Sequence, residues 1–200
     1  MRCGLGTRRV LGVVLCAGVV VAVWTPIGSA ALPAAEQLVP NTVARISDAA
    51  NRDDETVTRA ELRHELALTE GDRRGRRAID WLVEAIWLRG EATEMGIVVT
   101  RRQVKSLLGT VFESAAEFRG FLRESRMTRR DVYERVELQL LAARIQERVV
   151  AGTGGGAEEQ AAFQRFVDEF NEKWRSRTVC APEQVTSRCS NGPSEEGQSP

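Results

Sequence analysis

The sequence predicts an all-α protein built as a single helical bundle, with room for one short β-hairpin ahead of it. Three observations carry that expectation. Thr58, Ser114 and Thr128 are each followed three residues later by an acid, the pattern of a capped helix start. Apolar residues then recur at three- and four-residue steps through most of the chain. β-capable stretches are confined to residues 42–58.

Residues 1–9 carry three arginines and no acid, and residues 10–24 are fifteen apolar or small residues in a row. Thr25-Pro26 is a turn signal, and Gly28-Ser29-Ala30 offers a signal peptidase small residues. Residues 1–30 therefore read as a secretory signal, which places the remainder outside the cytoplasm. The rival is an uncleaved anchor, the single route by which this chain would hold a membrane; its apolar run is short of the about 20 residues a span needs. Leu15 stands directly before Cys16, where a lipid-attachment signal wants a small residue. Residues 31–41 form a lead-in without periodicity, expected to be disordered. Thr42–Ile46 and Glu55–Thr58 flank the polar SDAANRDD segment and allow a small hairpin.

From Thr58 onward the chain reads as helical. Thr58 to Glu61 opens one helix through Leu62, Leu66 and Leu68, with Gly71 behind it. Residues 76–96 form a central helix with two apolar stripes: Ile79, Leu82, Val83 and Ile86 on one side, and Trp81, Ala85, Leu88, Ala92 and Met95 on the other. So wide an apolar arc has to be buried on two sides. Asp80, Glu84, Glu91 and Glu94 take the remaining face, and Trp87 falls among them, as an edge residue lying over a neighbour or as a partner contact. Thr100 opens a helix through Val104, Leu107, Leu108, Val111 and Phe112, and Ser114 a short one carrying Phe118, Phe121 and Leu122. Thr128 begins a long one with Tyr133, Val136, Leu140, Leu141, Ile145 and Val149. Beyond a Gly-rich joint at 151–157, Phe163, Phe166, Val167, Phe170 and Trp174 keep a helical stripe that must dock on the earlier helices. Residues 42–178 thus form the helical domain, and 179–200 a polar tail.

Charge and chemistry narrow the function classes. Removal of residues 1–30 takes three arginines and no acid from a balance of 28 against 28, leaving the remainder near −3. The pairs Arg73-Arg74, Arg76-Arg77, Arg101-Arg102 and Arg129-Arg130 sit among carboxylates at helical spacing and read as solvated faces, with no nucleic-acid footprint. The tail thiols Cys180 and Cys189 are expected to form a disulfide outside the reducing cytosol. A metal site is the weaker alternative, since two thiols without a nearby histidine leave half a zinc shell empty. The glycines between Ala151 and Ala157 come after a helix instead of a strand, no lysine succeeds them, and Glu158-Glu159 stand where a phosphate would sit. This is no nucleotide loop. His64 is the single histidine and has no partner for a relay or a metal shell. No active site and no cofactor site emerge.

A family resemblance remains. The runs TVARI, VTRAELRHEL, AIDWLVEAIWLRGEATEMGIVVTRRQV, FESAAEFRGFLRESRMTRRDVYERVELQLLAARIQERV and FVDEFNEKWRSRTVCAPEQVTSRCSN cover most of residues 42–191. Together they resemble the secreted SurA-like and PrsA-like foldases of Gram-positive bacteria. The motifs in common are the turn at residues 91–97, the Phe118/Phe121-Leu122 helix, and a tryptophan followed by two tail cysteines. The resemblance implies a helical bundle of the SurA N-terminal or trigger-factor peptide-binding type. In that family a parvulin prolyl-isomerase domain is inserted before the last helix; here AGTGGGAEEQ stands in its place, too short to hold one. The implied function is an ATP-independent chaperone that binds unfolded or exported polypeptides through an apolar groove, without isomerase activity of its own. The groove candidates are Trp81, Trp87, Phe112, Phe118 and Phe121. Two other outcomes stay open: an isomerase-family protein working with a partner's catalytic domain, and a structural module. A glycine hinge before an amphipathic helix permits a domain-swapped homodimer of the last kind.

Overall fold

A computed structural model describes residues 38–50, 53–71 and 73–193. The expected signal segment and most of the lead-in lie outside the described residues. The mostly helical expectation holds, with one addition: among the described residues six helices dominate, and they share a core with a three-stranded antiparallel sheet in which the hairpin gains a third strand. Strand β1 (Thr42–Ala50) is its centre, flanked by β2 (Asp53–Thr58) and β3 (Thr178–Cys180). Arg45 stands opposite Thr56 on one side and Val179 on the other, and Ile46 opposite Glu55 and Thr178. Past Ile46 the register shifts, and Asp48 takes a φ of 51° to make the irregularity.

The helices begin where the sequence places their caps. Thr58, Thr100 and Thr128 each close a reciprocal capping box with the residue three positions on, and Ser114 accepts the backbone N–H of Glu117. They open α1 (Arg59–Leu68), α3 (Arg101–Val111), α5 (Arg129–Val150) and α4 (Ala115–Ser125). The central helix α2 (Arg74–Glu94) ends at Met95, followed by Gly96 at a φ of 66°. α6 (Ala157–Ser176) succeeds the glycine joint.

α2 is buried on two sides, as its apolar arc requires. Ala78, Ile79, Val83, Ile86 and Trp87 join Val43, Ile46 and Val57 of the sheet in the largest core. Further along, Ala92 packs with Leu141 and Ile145 of α5, with Leu88, Met95 and Phe166 of α6 against them. A third cluster joins Val104 and Leu108 of α3 to Val132 of α5.

The segment read as a polar tail is part of the first core. Cys180 and Cys189 are bonded, with Cα atoms 5.7 Å apart, and both side chains are buried. Thr178 is fully buried as well; its hydroxyl accepts from Trp87 Nε1 at 2.8 Å and donates to the Trp174 carbonyl at 2.8 Å. The reason lies in the partners. β1 presents a free edge that only an extended segment after α6 fills, and three residues of strand leave no periodicity to read.

Candidate functional site

α1, α2, α3 and α5 enclose two adjoining clefts that share Glu61, Arg130 and Glu134. The larger, about 660 Å³, lies between the starts of α3 and α5 and is lined by Arg89, Arg101, Val104, Arg129, Tyr133 and Glu137. The smaller, about 450 Å³, runs between α1 and α5 past His64, Glu65, Trp81 and Asp131.

The smaller cleft is held by two charge-bearing contacts from α1. His64 Nε2 lies 2.9 Å from Asp131 Oδ1. Arg135 donates to both oxygens of buried Glu65 at 2.7 and 2.9 Å, and its guanidinium lies 4.2 Å from the centre of the Trp81 ring. Both bonds come from the one Nη2 of Arg135, which centres its charge between the two carboxylate oxygens. Burial alone would raise the Asp131 carboxyl. Hydrogen bonds from the Thr128 backbone, His64 and the Thr128 hydroxyl outweigh it and hold the carboxyl below its ordinary value. In the larger cleft Arg89 donates to Glu134 at 2.6 Å, while the Arg101 guanidinium sits 5.8 Å from the Tyr133 ring centre.

The five aromatic groove candidates do not line one trough. Phe112, Phe118 and Phe121 come together at the corner where α3 turns into α4: Phe112 is 5.0 Å from Phe118 and 5.3 Å from Phe121 between ring centres. Phe121 is 38 % exposed, and Val111, the residue before Phe112, is 60 % exposed. α4 itself buries none of its residues. The corner meets the larger cleft at Arg129, whose guanidinium lies 5.7 Å from the Phe118 ring centre. Trp81 lies apart, half-buried in the smaller cleft.

Trp87 is no groove residue and no edge residue: it is fully buried, edge-on to Phe170 at 5.9 Å. The acid-bearing face of α2 is turned toward α6 and the segment after it, with Glu91 buried and Glu84 and Glu94 at the rim, because distant cations meet its carboxylates. Arg188 pairs with Glu84, Lys173 with Glu91 and Glu94, and Arg177 with Glu94 at 2.8 Å. Trp174 Nε1 also donates to Glu91 at 2.7 Å. With their charges met, these acids line the seam on which α6 docks, and Trp87 sits beneath it.

The two clefts are charged and end at an aromatic corner, and the five candidates are divided among that corner, the smaller cleft and the core. Tyr133, Arg101, Arg129 and Arg135 were not among the sequence candidates. Tyr133 reads as one more core position of its stripe, and the arginines read as solvated. Among the described residues no cluster of three or more metal-capable side chains occurs, and no helix there is long and apolar enough to cross a membrane. The chain matches no family model, no curated protein and no solved structure.

Proposed function

We propose that this protein is an extracytoplasmic, ATP-independent chaperone-like binder of unfolded or exported polypeptides, built on a bundle of the SurA N-terminal type and without isomerase activity of its own. The observation that carries the reading is the α3–α4 corner. Phe112, Phe118 and Phe121 gather around a helix with no buried residue, with Val111 exposed one residue before Phe112, at the mouth of a cleft whose walls supply both charge signs. Apolar contact there is nondirectional, and a partly exposed aromatic cluster takes many sequences weakly. Charged and backbone-accepting groups in the cleft then meet the polar parts of an extended chain.

Light scattering from a chemically reduced, aggregating client tests this. The equimolar protein lowers the scattering, and the Val111→Ser/Phe121→Ser variant, altered only at exposed positions, loses most of that effect. Scattering unchanged by the native protein refutes the proposal. A proline-limited refolding reaction run alongside separates the isomerase alternative, which predicts acceleration above background.

A further inference from the structure

We infer that the larger cleft selects acidic polypeptide segments, gripping their carboxylates through Arg101, Arg129 and Arg130. This rests on the peptide-binding reading above and specifies its substrate class.

The fold brings together two stretches free of acid. Residues 97–112 carry Arg101, Arg102 and Lys105, and residues 125–130 carry Arg126, Arg129 and Arg130, with no Asp or Glu in either. α3 and α5 pack on each other, so both stretches border one cleft, in a chain whose remainder after residue 30 is net acidic. Among the described residues Arg101, Arg129 and Arg130 take part in no ion pair, whereas Arg89 and Arg135 beside them are paired with Glu134 and Glu65.

Their positions argue against a purely helical role. Arg101 and Arg102 open α3, and Arg129 and Arg130 open α5. Cations in a first turn oppose the helix dipole, so helix stability gives no reason for two such pairs. The boxes at Thr100 and Thr128 already satisfy the backbone there. Tyr133 and Phe118 each lie beside one guanidinium, at 5.8 and 5.7 Å. A stacked guanidinium keeps its N–H edges free for a forked grip on a carboxylate.

The acids of the cleft pick a peptide over a denser polyanion. Glu61 of α1 and Glu137 of α5 line it, with Glu134 already paired to Arg89. They would repel the close-spaced phosphates of a nucleic acid or an anionic bilayer, but they accept the backbone N–H groups that an extended peptide carries. The apolar corner meets the Arg129 guanidinium through Phe118 and suits an aliphatic or aromatic neighbour of the acid.

Fluorescence anisotropy with the full chain and two labelled peptides tests this. The peptides share their apolar residues; one carries Glu where the other carries Gln. The acidic peptide binds at least about fivefold tighter, since three exposed ion pairs at a little under about twofold each multiply to that ratio. That preference vanishes in Arg101→Gln/Arg129→Gln/Arg130→Gln and survives in Arg73→Gln/Arg74→Gln/Arg76→Gln, which removes equal charge at the start of α2; far-UV circular dichroism checks that both remain folded. Equal binding of the two peptides overturns the inference, as does a preference kept in the first variant or lost equally in the second. Tighter binding of a single-stranded oligonucleotide or of anionic vesicles, with the same arginine dependence, overturns it too. If the two peptides bind equally while aggregation is still suppressed, the acid selection alone fails. If neither binds and aggregation proceeds, the peptide-binding reading falls with it.

Discussion

Gly90 sits where the indole of Trp174 crosses α2. A Cβ placed there would collide with the Trp174 ring and, at 2.5 Å, with the carbonyl oxygen of Ala49. Neither neighbour can retreat: Trp174 is fully buried and pinned by Glu91, and the Ala49 backbone belongs to β1. Gly90→Ala gains helix propensity yet overpacks, and the net effect is a loss of about 1–3 kcal/mol. A lower urea midpoint, with Trp fluorescence shifted to the red, is the expected result; an unchanged midpoint would mean that α6 does not dock as described. Asp131 gives a pH-dependent counterpart. Its folded pKa lies below the ordinary 3.8, so the stability it contributes is present above that value and is lost as pH falls through the lowered one. Asp131→Ala removes the carboxylate half of the capping box and the His64 contact, and costs about 1 kcal/mol at neutral pH. The gap between native and variant narrows in urea titrations carried below about pH 4. A gap independent of pH would show that the His64 and Thr128 contacts do not favour the charged carboxyl.

Among the elements, α4 is the one held least. It buries none of its own residues and rests on the third core through half-buried Phe118 and Leu122. Few buried contacts mean a low local opening energy. Amide exchange in α4 is therefore expected to run at least about tenfold faster than in the middle of α2, through local opening that leaves the global stability untouched. Equal protection would make α4 part of the cooperative core and leave no adaptable corner for a client. How legible these elements were depends on how local their causes are. Helix starts were readable because a capping box is closed within four residues: those at Thr58 and Thr128 formed in full, Ser114 formed its half, and Thr100 closed one with Gln103 that the acid pattern does not announce. The hairpin was readable as two β-capable pieces, though not the length of β1. Trp87 was not, because its surroundings come from residues 170, 178 and 188, and a helix read by itself assigns an acid-bearing face to water. The site was legible in part for the same reason. Phe112, Phe118 and Phe121 are near neighbours in sequence and meet in space, whereas the cleft needs α1, α3 and α5 assembled before Arg101 and Tyr133 face each other.

At the scale of the whole molecule, the end of the described chain closes the fold instead of trailing from it. β3 completes the sheet, Ser190 and Ala181 bond back to Thr178 and Val43 through their backbones, and the Cys180–Cys189 bridge lies inside the same core as Trp87. Arg188 reaches both Glu84 of α2 and, at 2.8 Å, Asn171 of α6. Two changes to this segment then have different consequences. Ending the chain at Arg177 strips β1 of one edge, leaves the Trp87 indole N–H without Thr178, and opens the principal core, so cooperative urea unfolding should be lost. Replacing both cysteines by serine keeps the strand but removes the cross-link, whose loop of about ten residues contributes roughly 2.5–3 kcal/mol, and leaves two hydroxyls in the core; that variant should unfold cooperatively at a lower urea concentration. Circular dichroism tracked through a urea titration reads both. A dispensable tail would leave the truncated chain unfolding like the native one, and α6 would then be free to leave through its glycine joint, which is the condition for exchange between two copies. With the closing segment in place, that exchange would also have to break the β1–β3 pairing and the ion pairs to Glu84, Glu91 and Glu94, so a monomer is the expected state in light scattering at micromolar concentration.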